Sequence, residues 1–99
     1  MFGLIGRIRA AAGKRAELAA ILVQEDGSMP GCLSYVVAED PADADVLIVT
    51  EVWVDEAAHK ASLSLPAVQA AIARGRPLIA GFDGQVKTKV LGGIGLKRD

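Results

Sequence analysis

The sequence contains a single tryptophan and a single histidine, Trp53 and His59, and both lie in the segment EVWVDEAAHKASLSLP. An imidazole titrates near neutral pH, so His59 is a candidate general base, and Asp55 on the same helix face could pair with it. The indole of Trp53 offers a flat apolar surface to an aromatic ligand. Two structural alternatives stay open: His59 as a partly exposed helix residue beside Lys60, and Trp53 as a packing anchor, which is the commoner role.

Glu51 interrupts an otherwise apolar segment two positions before Trp53, on the same face of a predicted strand. A carboxylate in such a place is costly unless it is paired. Glu51 could therefore be a base, or it could accept hydrogen bonds from Arg7 or Arg9. The structural ion pair is the favoured interpretation.

Other side chains could contact a ligand without doing chemistry. Tyr35 and Ser34 could donate hydrogen bonds to a ligand oxygen, and Phe82 and Phe2 are predicted to line an apolar cavity. Cys32, the single cysteine, lies in an apolar run and is expected to be a buried, unreactive thiol. One histidine and scattered carboxylates do not make a metal site.

Composition excludes several classes of protein. The 99 residues fit one domain, residues 1–99, and their net charge is −1 with no long run of one sign. Nucleic acid and a polybasic membrane anchor are therefore not expected as partners. No apolar run approaches the ~18 residues that span a bilayer, and one cysteine excludes an internal disulfide, so we expect a cytoplasmic protein.

The elements follow from periodicity and from turn residues. Period-two alternation and β-branched content predict four strands, and helical spacing and capping residues predict the helices. The predicted strands are 2–10, 31–39, 46–54 and 85–93, and the predicted helices are 14–26, one that starts at Glu56 with Asp55 as its cap, and one from Pro66 to Arg74. The segment PLIAGF is interpreted as a transition, and IGLKRD as an extended arm.

The order β–α–β–β–α–β predicts an α+β ferredoxin-like fold, in which a four-stranded antiparallel sheet carries its helices on one face. The third strand is largely apolar on both faces, from Val46 to Val54. The sheet face without helices therefore needs a second cover. A second copy of the same sheet would supply it in a symmetric homodimer.

This order resembles the antibiotic biosynthesis monooxygenase family, and most closely its small bacterial quinol monooxygenase-like branch. The motifs that carry the resemblance are PGCLSY, EVW, DEAAHKASL, RPLIAGF and GGIGL, so the likeness extends over nearly the whole chain. It implies a dimeric α/β barrel with a pocket between sheet and helices. Two positions depart from the pattern, because Ser62 and Ile94 stand where many members have histidine.

The resemblance also implies a chemistry. Characterised members oxidise aromatic phenols or quinols with dioxygen and use no metal, flavin or haem. The protein then needs only to bind the ring, hold a base near its hydroxyl and stabilise the oxyanion. Haem degradation is not expected, because the first strand has no asparagine between Ile5 and Ile8.

The resulting prediction is a cofactor-independent monooxygenase that acts on a small aromatic phenol or quinol. His59 is the expected catalytic base, Trp53 and Tyr35 shape the pocket, and Ser34 or Ser62 adds a hydrogen bond. The competing hypothesis is a non-catalytic dimer of the same fold that binds a small ligand or acts in a stress response. The missing histidines favour that alternative.

Overall fold

A computed structural model describes residues 1–24 and 29–97. The fold is α+β and ferredoxin-like, as the sequence predicts, with the second helical region divided in two. The elements are β1 (Phe2–Ala10), α1 (Arg15–Leu22), β2 (Cys32–Glu39), β3 (Val46–Trp53), α2 (Glu56–Ser62), α3 (Pro66–Gly75), a short 3-10 helix (Arg76–Leu78) and β4 (Ile79–Lys89). The predicted end of the first helix, near Gly27, lies outside the described residues.

The four strands form one antiparallel sheet in the order β2-β3-β1-β4. At one end of the sheet, Phe2 of β1 is paired with Trp53 on one side and with Lys89 on the other. Because side chains alternate along a strand, this register places Phe2 and Trp53 on the same face. That face carries the helices.

The fourth strand begins earlier than the sequence predicts. It starts at Ile79 rather than at Gln85, so the segment PLIAGF is partly strand rather than a transition. The pairing with β1 shifts register between Gly6 and Ile8 and again between Arg9 and Ala10. Such irregularities break the period-two pattern, which is the signal on which the sequence prediction depended.

A bulge at the start of β2 also changes which side chains share a face. Cys32 pairs with Trp53, whereas Ser34 pairs with the adjacent residue Val52. Two residues of β2 therefore span one step of β3. Regular period-two alternation would place Cys32 and Ser34 on one face, but the bulge places Cys32 with Trp53 on the helix side and Ser34 on the opposite side. Cys32 is buried there, as expected.

The helices begin where their capping residues predict. The Asp55 carboxylate accepts a hydrogen bond from the Ala58 backbone N–H (2.8 Å), and Pro66 occupies the first turn of α3.

The helix side of the sheet carries two buried clusters. One surrounds Leu18 of α1 and Leu47 of β3, and the other surrounds Trp53.

On the opposite face of the sheet, one row of cross-strand partners runs through all four strands, and three of its four members are apolar. Val36, Thr50, Ile5 and Val86 are successive cross-strand partners. Within the described part of the chain, Val36 and Val86 are 54% and 56% exposed and Ile5 is 37% exposed. The helices of the same chain pack on the other face of the sheet, so they do not cover this row.

Among the described residues, no helix is both long enough and apolar enough to cross a lipid bilayer.

Candidate functional site

The site lies where β3 ends and α2 begins. Glu51 and Trp53 point to the helix face from alternate positions of β3, and Asp55 starts α2 so that His59 faces them. The Trp53 indole Nε1–H donates to Glu51 Oε1 (3.1 Å), and His59 Nε2 lies 3.9 Å from the same oxygen. A single carboxylate oxygen therefore lies next to both the indole and the imidazole.

The His59 imidazole is packed between two aromatic rings. Its ring centroid lies 5.5 Å from that of Trp53, in an edge-on arrangement with an interplanar angle of 70°. The Phe2 ring lies 5.7 Å away at 39°. These contacts limit the orientations that the imidazole can adopt, and they leave only 20% of the His59 side chain exposed.

Among the described residues, the groups next to the Glu51 carboxylate are Trp53 and His59, and the prediction of an ion pair with Arg7 or Arg9 is wrong. Arg7 Nη2 lies 2.7 Å from Asp40 Oδ2, and Arg9 binds two other aspartates. The register explains the difference, because Leu4 pairs with Glu51 and odd-numbered residues of β1 point to the other face.

Burial raises the pKa of the Glu51 carboxyl above its ordinary value. Removal from water is the largest cause, because it disfavours the charged carboxylate. The hydrogen bond from Trp53 and the charge of a protonated His59 lower the pKa and oppose part of this effect. Glu51 can consequently hold a proton at a higher pH than an exposed glutamate.

These groups open onto a cavity of about 150 Å³ between the sheet and the helices. Tyr35, which pairs with Glu51 across β2 and β3, forms part of its wall. The remaining wall is mostly apolar and comes from Met29, Leu63, Val68 and Ile72. An apolar cavity that contains a few convergent polar groups is the usual form of a small-molecule site.

Comparison with known proteins identifies the family. The sequence profile of the antibiotic biosynthesis monooxygenase family matches residues 1–74. A protein from Chloroflexus aurantiacus J-10-fl that carries the antibiotic biosynthesis monooxygenase name is 59% identical in sequence, with a TM-score of 0.92. The chain belongs to the antibiotic biosynthesis monooxygenase family. The match to the Chloroflexus protein covers 96% of this chain and 97% of that one.

More distant structures preserve the same fold. A Deinococcus radiodurans protein that carries the same family name is 28% identical, with a TM-score of 0.77 over 95% of this chain and 96% of its own. A conserved protein from Methanosarcina mazei Go1 is 14% identical, with a TM-score of 0.76 over 89% and 90% of the two chains, and it shows likeness of fold alone. No curated protein matches the sequence. Membership of this monooxygenase family supports a general monooxygenase role.

In this family member, the structure brings five of the predicted site residues to one cavity. They are Tyr35, Glu51, Trp53, His59 and Ser62. The Ser62 hydroxyl donates to the His59 backbone carbonyl oxygen (2.6 Å). The Ser62 proton is thus used within α2, and only its oxygen lone pairs remain to accept from a ligand.

Two predicted site residues lie elsewhere. Ser34 borders a neighbouring cavity, because the β2 bulge turns it away from the face that carries Trp53. Phe82 pairs with Ile8, six positions along β1 from Phe2, and it is 73% exposed in a separate surface groove. The structure does not bring either side chain to His59.

The apolar wall of the cavity was not predicted from the sequence. Val68 and Ile72 are four residues apart on α3, a spacing that places them on one helix face and could have indicated a shared role. Met29 gave no such signal, because it precedes β2 in an irregular segment. Among residues 1–24 and 29–97, no group of three or more His, Cys, Asp or Glu side chains could hold a metal ion.

Proposed function

We propose that this protein is a cofactor-independent monooxygenase that oxidises a small aromatic phenol or quinol with dioxygen, and that His59 is the base. The observation that carries the proposal is the Glu51–His59 pair, which lies in an apolar cavity beside the rings of Trp53 and Tyr35. An aromatic ring could pack against this wall with its hydroxyl directed at His59 Nε2.

The first step is proton transfer from the ring hydroxyl to His59. The resulting imidazolium lies 3.9 Å from Glu51 Oε1, so an ionised Glu51 stabilises it across an apolar environment. Trp53 keeps the carboxylate in place through its indole N–H. Glu51 is therefore a positioning residue, and His59 is the group that contacts the substrate.

The second step is the reaction of the electron-rich phenolate with dioxygen. A carbon–oxygen bond forms at the ring, and the oxygen–oxygen bond then breaks. One oxygen atom stays on the ring and the other leaves as water. A quinol and dioxygen give a hydroxyquinone and one water, so the substrate supplies all the electrons. A cavity that excludes bulk water and directs hydrogen bonds at the ring oxygen favours this sequence.

Oxygen consumption tests the proposal. We expect wild-type protein to consume dioxygen with at least one member of a panel of quinols and anthrones. His59→Ala should lower kcat/KM by about 100-fold or more, the usual contribution of a general base. Lys60→Ala, at the exposed neighbouring position, is the matched control and should retain activity. Dialysis against a chelator should leave the rate unchanged if no metal takes part.

Two results would contradict the proposal. Oxygen consumption no faster than in buffer, for every compound, would exclude the enzyme. Equal rates for wild type and His59→Ala would remove the role of His59. The second candidate, a non-catalytic dimer that binds a small ligand, is favoured by the single histidine of the chain, because Ser62 stands where the resemblance to the family implies another histidine. It predicts aromatic binding without oxygen consumption.

The proposed molecule is a homodimer in which two sheets face each other. The exposed apolar row of Val36, Ile5 and Val86 supports this arrangement, as do Leu91 and Ile94, which follow β4 and are also exposed. Sedimentation at micromolar concentration should give twice the mass of the chain. Val36→Lys should shift the mass toward the monomer, whereas Val23→Lys, at the end of α1, should not.

A cytoplasmic location belongs to the same proposal, because the single cysteine cannot form an internal disulfide.

A further inference from the structure

The cavity that contains His59 has a larger neighbour. A second cavity of about 260 Å³ lies between the end of α1, the start of β2 and the segment at Lys97. Both cavities are lined by Met29 and Tyr35. These two side chains therefore form the wall between an inner cavity, which contains His59, and an outer cavity, which does not.

The inner cavity alone is small. Its volume of about 150 Å³ matches that of an engineered apolar cavity known to bind benzene. A second fused ring would have to occupy space that the wall residues fill. The two cavities together would reach the volume of an ordinary small-molecule pocket.

The two wall residues differ in how easily they can move. Tyr35 lies within β2, and its backbone is fixed by pairing with Glu51. Met29 lies before β2, where its carbonyl oxygen accepts from the Cys32 backbone N–H (3.1 Å). Its unbranched side chain is buried against Cys32 and Trp53 and has several accessible rotamers. Met29 is thus the movable part of the wall.

We propose that Met29 determines how many fused rings the site accepts, by separating the inner cavity from the outer one. With Met29 in place, one ring fits beside His59, and a second ring fits only when the thioether side chain moves aside. This inference rests on the proposed function for the class of ligand. It adds the residue that sets the length of the ring system.

The test measures binding without turnover. The fluorescence of Trp53, the single tryptophan, reports the anaerobic binding of phenol, 2-naphthol and 2-hydroxyanthracene to the full chain. Wild type should bind 2-naphthol no more tightly than phenol, although the second ring adds apolar surface that would otherwise strengthen binding. Met29→Ala should strengthen 2-naphthol binding about tenfold and change phenol binding less than threefold.

Control variants distinguish the removal of the Met29 side chain from a general loss of packing around the cavities. Leu33→Ala enlarges the outer cavity alone and should leave the ratio of the two affinities as in wild type. Met29→Leu preserves volume and should also leave it unchanged. If Met29→Ala does not fold, Met29→Val decides the question, and a gain of at least about threefold for 2-naphthol is expected.

An affinity ratio that is the same in wild type and in the truncated variant would overturn the inference, and so would the absence of binding by all three compounds. An unchanged ratio is distinct from failure of the proposed function, whereas the absence of all binding would contradict both proposals. The ratio is measured without dioxygen, whereas the enzyme proposal fails when ligands bind and no oxygen is consumed.

Discussion

The Glu51 carboxylate and the His59 imidazole lie 3.9 Å apart, between Oε1 and Nε2, on β3 and α2 respectively. The same Oε1 accepts the Trp53 indole N–H. A positive charge on His59 favours the ionised form of Glu51 and lowers its pKa, in opposition to the larger effect of burial. The consequences of this pair can be measured in stability as well as in activity.

The substitution Glu51→Gln should change how stability depends on pH. Burial raises the pKa of Glu51 from its ordinary value of 4.5, so its contribution to stability is present below about pH 4.5 and is lost as pH rises through the raised value. The introduced carboxamide resembles the protonated acid at every pH. The Tm of the variant relative to wild type should therefore be more favourable at about pH 8 than at about pH 3.5, as measured by thermal unfolding.

Glu56→Gln is the control, because its Tm relative to wild type should change with pH in the opposite direction. A hydrogen bond from Lys87 lowers the pKa of Glu56, so this carboxylate stabilises the fold above its ordinary pKa, and the effect is lost as pH falls. The Tm of this variant relative to wild type should be less favourable at about pH 8 than at about pH 3.5. The same sign for both variants would contradict the assignment of a raised pKa to Glu51.

Trp53→Phe should shift the pH dependence of catalysis. The indole N–H lowers the pKa of Glu51, so its removal should raise that pKa further. The limb of the kcat/KM profile that reports the ionisation of Glu51 should then move to higher pH. The lost hydrogen bond should also cost about 1–3 kcal/mol in the free energy of unfolding, measured with urea. Phe2→Leu reduces packing on His59 without removing a donor and should leave the profile in place. A profile that is identical in Trp53→Phe and wild type would show that the indole does not control Glu51.

Most of the fold could be predicted from local signals. The bounds of β1 agree with the structure because its alternation is uninterrupted, and α2 begins after Asp55 because an acidic cap leaves a clear signature. The start of β4 could not be predicted, because two register shifts against β1 break the alternation there. Periodicity reports a regular strand and gives no signal where a bulge occurs.

The site was predictable as far as it depends on strand parity. Glu51 and Trp53 share a face because they are two positions apart, and the structure places His59 near both. An arginine was predicted as the partner of Glu51 only because the strands that carry them are close in the topology. Arg7 points to the opposite face of the sheet and pairs with Asp40. The role of Met29 could not be predicted either, because the boundary between two cavities depends on packing among distant segments.

Substitutions at Asp55 separate its capping role from any role in catalysis. Asp55→Ala should lower the free energy of unfolding by about 1 kcal/mol, because it leaves the Ala58 N–H at the start of α2 without its acceptor. Asp55→Asn retains an accepting oxygen and should recover most of that loss. Because Glu51 is the carboxylate that faces His59, Asp55→Asn should retain wild-type kcat/KM. A large loss of activity in Asp55→Asn, with stability preserved, would instead indicate pairing of Asp55 with His59.

Gly31 should tolerate alanine worse than Gly13 does. Both glycines have positive φ, +81° and +76°, so alanine is strained at either position by about 1–2 kcal/mol. At Gly13 no atom lies within 4 Å of an added Cβ, whereas at Gly31 the added Cβ would lie 2.8 Å from the Ala58 Cβ. Ala58 is next to His59 in α2, and a Cβ cannot move without its backbone.

Gly31→Ala should therefore displace α2 as well as strain the turn. Its loss in the free energy of unfolding should exceed that of Gly13→Ala by at least about 1 kcal/mol, the lower end of the cost of overpacking. Its kcat/KM should fall about tenfold or more, because small displacements of a catalytic group are costly, while Gly13→Ala keeps its activity. Urea unfolding and oxygen consumption of the two variants give both quantities. Equal losses at the two glycines would show that α2 does not depend on the close approach of Gly31.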